Sequence, residues 1–219
     1  MVPGLSTVPA VSGILARCVR ERARAAQLIR LTLWVGNRNA KSVAIIATVL
    51  ETRFGKPLPV ELPQGRRWAY AVDSPCEVLL PRELGVPGEF RVVFEWRAVN
   101  RLLAIAQPVV QRWSARTRWW VAKWTSRAFA PLCRFGDDGW LMQAEAMEDG
   151  KVKAVARLSG RGQAIAVLPC AIMLEALISG ELHQPGCVSP ATWLSPHVWV
   201  ERFRARGIEF SEFAAGAKR

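Results

Sequence analysis

Trp140–Gly160 reads WLMQAEAMEDGKVKAVARLSG, two apolar-rich runs on either side of Glu148-Asp149-Gly150. An Asp-Gly pair between such runs signals an antiparallel hairpin, because both residues tolerate the positive φ of a tight turn. Upstream, GEFRVVFEWRA (88–98) is the clearest single strand, and LIRLTLWV (28–35) alternates apolar with polar. PVEL (59–62), RWAYAV (67–72) and CEVLL (76–80) add short strand candidates set apart by Pro and Gly. Helical patterns fill about 8–26, 42–54, 99–128 and 163–179, the last ending at Gly180, a plausible C′ glycine. PHVWVERFRARG (196–207) reads as a final short helix before IEF (208–210), an edge strand or the start of a tail. Hairpins interspersed with helices predict an α+β fold, a mixed, largely antiparallel sheet covered by helices on one face. We read residues 1–219 as one domain.

The first residues pose a question of their own. Pro3-Gly4 fits a type II turn, and Ser6 or Thr7 is a suitable cap for the helix that follows. A turn joins two elements, and only one of them is visible in the chain.

Composition narrows the function. Five cysteines (Cys18, Cys76, Cys133, Cys170, Cys187) lie scattered without a CxxC pair, which suits reduced thiols in a cytoplasmic protein. There is no basic segment before the first apolar residues, and Pro3 and Pro9 interrupt them, unlike a signal peptide. The most membrane-like run, AIAVLPCAIMLEALI (164–178), is too short to span and contains Pro169 and Glu175. The net charge of +12 is unevenly spread: residues 91–134 hold nine Lys/Arg against Glu95 alone, and residues 17–41 hold seven against Glu21. Such clusters attract phosphate on nucleic acid, anionic lipid or a phosphorylated cofactor, unless they are the ordinary surface of an arginine-rich protein.

Catalytic motifs are scarce. VKAVARLSGRGQAIAV (152–167) has the strand, Gly-x-Gly and helix of a dinucleotide site, but its third small position is Ile165, whose branched side chain would block close helix–strand packing. No phosphate loop of the G-x-x-x-x-G-K-S/T kind and no G-x-S-x-G occur. His183 and His197 lack partners at ligand spacing, so we expect no metal site, and His197 reads better as a surface histidine than as a base. Asp137-Asp138, bracketed by Gly136 and Gly139, read as a turn rather than a carboxylate dyad.

RWSARTRWWVAKWTSRAF (112–129) stands out. On a helix, Arg112, Arg116, Lys123 and Arg127 fall within about 60° of one another, and Trp113, Trp120 and Trp124 form the adjoining stripe. The plainer expectation is that the tryptophans pack on the sheet while the arginine stems cover their edges. The alternative is a basic, tryptophan-rich module whose rings sit at headgroup depth on an anionic membrane surface. Nucleic acid ranks third, since charge alone favours it and no nucleic-acid motif is present.

Three segments together resemble one family. MVPGLSTVPA (1–10) is similar to the Pro-Gly segment after the nucleotide-binding domain of saccharopine dehydrogenase-like oxidoreductases. Residues 30–58 resemble the strand, glycine turn and helix that follow there, and residues 160–210 resemble the C-terminal helix, loop and final helix. The loop departs slightly, running from Gly180 to Pro185-Gly186-Cys187-Val188-Ser189-Pro190. The resemblance implies the C-terminal substrate-binding and dimerisation domain of an NAD(P)-dependent oxidoreductase. The element preceding Pro3 would then be a Rossmann domain, supplied in cis or in trans, with a homodimer as a further partner. On that reading Pro3, Gly4, Leu5 and Ser6 would border the substrate cleft. NAD(P) would be the cofactor, though this chain alone would bind none and would be inactive.

Overall fold

The computed structural model describes residues 7–39, 41–181 and 189–214. The fold is α+β. Its seven-stranded sheet has the order β2-β3-β4-β1-β5-β6-β7 and is mostly antiparallel. The strands are β1 (Leu28–Val35), β2 (Phe54–Leu62), β3 (Gly65–Val72), β4 (Gly88–Phe94), β5 (Gly139–Glu148), β6 (Lys151–Arg161) and β7 (Glu209–Ala214). The helices are α1 (Ser12–Arg22), α2 (Val43–Glu51), α3 (Cys76–Leu84), α4 (Arg97–Val110), α5 (Ala115–Phe129), α6 (Leu168–Ile178), α7 (Pro190–Trp193) and α8 (Pro196–Arg204).

The β5–β6 hairpin forms where the Asp-Gly pair places it, with Asp149 at φ 50° and Gly150 at φ 71°. Residues 208–210 open an edge strand, as β7 pairs antiparallel with β6 from Ala154↔Ala214 to Ser159↔Glu209. Three expectations need correction. CEVLL begins the helix α3 and not a strand: Cys76 and Leu80 are buried one turn apart, and Gly85 closes the helix in the left-handed conformation. The pattern over 99–128 is two helices, because Ser114 caps a new start by accepting a hydrogen bond from the Thr117 N–H at 3.1 Å. Thr7 does not cap α1. That helix starts at Ser12 with Val11 at the N-cap and no side-chain cap.

The residues fall into two compact units, and β1, β4 and β5 each contribute to both. The first unit comprises 1–32, 74–90 and 141–219. Its core is α1 packed with β6, α3, α7 and α8, with Ile14, Leu15, Met142, Leu158 and Phe203 fully buried. Trp199 and Phe203 stack at 5.7 Å between ring centroids. Several polar strand residues here are paired: Arg157 Nε donates to Gln143 at 2.5 Å, Gln143 donates to Glu145 at 2.7 Å, and Arg30 bridges Glu89 and Glu145. The second unit comprises 33–73 and 91–140. It contains the β2–β3 hairpin and α2, α4 and α5, and it holds the features with chemical potential.

Candidate functional site

Within the second unit, the segments after β1 and β4 are tied into a polar knot. The Glu95 carboxylate accepts from the Asn37 N–H at 2.6 Å and the Asp137 N–H at 2.9 Å. Asn37 in turn donates its amide to the carbonyls of Leu132 and Phe135, both at 2.9 Å. Asn39 donates to Asp138 at 3.0 Å and Gly139 at 2.8 Å. Asp137 lies in a turn, accepting from the Gly139 N–H at 2.7 Å. Gly136 is required here. Its φ is 104°, and a Cβ would stand 2.6 Å from the Glu95 carboxylate.

Lys41 closes the knot, its ammonium donating to the carbonyls of Asn37 at 2.8 Å and Asn39 at 3.1 Å. Burial pulls its pKa below the usual lysine range, against the opposing pull of Cys133 and Glu95. GNRNAKS (36–42) reads as a plain turn between a strand and a helix, and nothing in that pattern marks Asn37, Asn39 or Lys41 as functional. The usable signal was the pair of asparagines beside a glycine, since buried Asn side chains take over backbone hydrogen bonds that a turn leaves open.

Beside the knot, α2, α4 and α5 line an apolar cavity of about 340 Å³ that is open to solvent. The helices are joined at their ends: Gln107 and Gln111 of α4 donate to the carbonyls of Thr52 and Glu51 at the end of α2, and Ser126 of α5 donates to the Lys41 carbonyl. The two glutamine bonds satisfy carbonyls that the C-terminal end of α2 leaves open. The middle of the bundle is left unfilled.

The outer faces are unusual. On α5, Trp120 is 60% and Trp124 52% exposed, with ring centroids 5.7 Å apart and the Arg127 guanidinium 5.8 Å from the Trp124 ring centre. Arg112, Arg116, Lys123 and Arg127 are exposed beside them, together with Trp119. This corrects the expectation that the tryptophans pack on the sheet. Only Trp113 turns inward, lining the cavity, because it precedes the cap at Ser114 and lies outside α5. On α4, Leu102, Ile105 and Val109 are exposed at spacings that place them on one face. At its start, Arg97 and Arg101 border a recess with Arg67, Trp68 and Tyr70. The Arg67 Nε is buried there without a hydrogen-bond partner.

The remaining sequence candidates are less productive. Pro3, Gly4, Leu5 and Ser6 lie outside the described residues, as do His183 and Cys187. His197 is exposed and its Nε2 sits 3.2 Å from the Glu201 carboxylate, one turn away. Ile165 is buried, in a 3-10 turn before α6 rather than in a phosphate-binding helix start. Among the described residues, no three His, Cys, Asp or Glu side chains gather as metal ligands, and no helix is long and apolar enough to cross a membrane. No protein-family model and no curated protein matches the chain.

Proposed function

We propose that this chain binds anionic membrane surfaces from the cytoplasmic side through α5. The observation that carries the reading is the exposed Trp120–Trp124 pair with Arg116, Lys123 and Arg127 around it. Indole rings have an apolar body and a polar N–H, which suits headgroup depth, and the cations reach lipid phosphates. α5 has no acidic residue to oppose them. Each basic residue at such a surface contributes about 1 kcal/mol, screened by salt. Leu102, Ile105 and Val109 of α4 give further apolar surface of the kind that partners cover. The test is co-sedimentation with phosphatidylserine and with phosphatidylcholine vesicles. Binding should favour phosphatidylserine, fall steeply with salt and be lost in Arg116→Glu/Lys123→Glu; equal binding to both vesicles would refute it.

A second reading, the C-terminal domain of a saccharopine dehydrogenase-like NAD(P) oxidoreductase, is supported by α6. That helix exposes Leu174, Leu177 and Ile178, the last at 79%, an apolar face suited to docking a nucleotide-binding domain. Without such a domain the chain would bind no cofactor. Calorimetry with NADPH tests this, and micromolar binding by the chain alone would contradict it.

A further inference from the structure

The cavity among α2, α4 and α5 has the size of a small-ligand pocket, for which roughly 300–1,000 Å³ is usual. Its wall is aliphatic and aromatic, with Ile46, Leu50, Leu103, Ala106, Val121 and Phe129 among its lining. Ile45 and Leu102 line it too and are largely exposed, so the cavity opens to solvent past an apolar rim. Apart from the indole N–H groups of Trp96 and Trp113, the polar side chains in its lining are Asn37, Lys41, Glu95 and Thr125. Of the two charged ones, Glu95 is engaged by two backbone N–H groups. Lys41 spends two of its three N–H groups on carbonyls and keeps one, with its charge, for another acceptor.

We propose that this cavity binds a single-chain anionic amphiphile of the fatty carboxylate class, its chain along the aliphatic wall and its carboxylate on Lys41. The carboxylate would accept the third Lys41 N–H as a charge-assisted hydrogen bond. The basic stretches before and after the cavity, with Arg38, Arg97, Arg101 and Arg112, raise the local potential in favour of an anion. This site needs no bilayer, so it is independent of the membrane-surface reading and is tested without vesicles.

The experiment is calorimetric titration of the full chain with octanoate, decanoate and dodecanoate below their micelle concentrations. Affinity should tighten about fourfold for each added CH₂ until the cavity is full. Dodecanol should bind about tenfold more weakly than dodecanoate, and dodecylammonium more weakly still. Lys41→Gln should remove the preference for dodecanoate, bringing its affinity down to about that of dodecanol. Ala106→Phe, which fills the cavity, should abolish binding of all three with a retained thermal transition. The headgroup comparison on the unaltered chain decides the matter even where a variant does not fold. Absence of binding, no dependence on chain length, or dodecylammonium equal to dodecanoate would overturn the proposal.

Discussion

Gly136 shows how one residue holds the knot together. A Cβ there meets the Glu95 carboxylate at 2.6 Å and the Asn37 Cβ at 2.9 Å, while φ 104° is itself strained for any other residue. Gly136→Ala should cost about 1–3 kcal/mol in a urea melt, from backbone strain alone. Gly65→Ala makes the useful comparison: its φ is 89° and nothing lies within 4 Å of its Cβ, so it carries the strain without the clash. A larger loss at Gly136 than at Gly65 is the expected result. The cysteines offer a second test. Burial, assisted by Glu212 and Glu21, pushes the Cys18 thiol up to about 12, so it stays protonated at ordinary pH. Cys76 is raised too, again by burial, and only Cys170 among the described cysteines is exposed. Iodoacetamide at pH 8 followed by peptide mapping should find Cys170 alkylated, and Cys18 and Cys76 unmodified until the chain unfolds.

Among the elements, Ser114 separates two accounts of residues 97–129. As an N-cap of α5 it satisfies the Thr117 N–H, so Ser114→Ala should cost about 1 kcal/mol, measured by denaturant unfolding. In a single unbroken helix the same change would be neutral or stabilising, since alanine is the better helix former. Elements with strong local signals were legible in the sequence: the alternation of β1, the Asp-Gly hairpin of β5 and β6, and the glycine that ends α6. CEVLL misled because a five-residue apolar run fits a buried strand as well as a helix, and its partner Ser12, 3.2 Å from Cys76, lies 64 residues away. The candidate site was legible only as chemistry. The tryptophan and arginine stripe on α5 could be read from helical spacing, but which stripe faces solvent depends on packing against α2. Of the knot of Asn37, Lys41, Glu95 and Gly136, only the asparagines beside Gly36 leave a trace in the sequence. Glu95 reaches Asn37 and Asp137 across 58 and 42 positions, and no local pattern records such bonds.

At the scale of the whole molecule, two apolar surfaces stand out among the described residues. One is α6 in the first unit, the other the outer faces of α4 and α5 in the second. A missing nucleotide-binding domain would be expected to leave α1 without a packing partner. Instead its apolar residues are buried against β6, α3, α7 and α8. Residues 91–134, which carry the exposed Trp119, Trp120 and Trp124, hold nine Lys/Arg against Glu95 alone, which is the combination that distinguishes an anionic surface from a purely apolar partner. The most direct test of that account is Trp120→Ala, followed by thermal unfolding and by binding to phosphatidylserine vesicles on the same preparation. With Trp120 at the surface, stability should change by no more than about 0.5 kcal/mol while vesicle binding falls. A loss of roughly 3–5 kcal/mol, the cost of removing an aromatic ring from a core, with vesicle binding unchanged, would contradict the account.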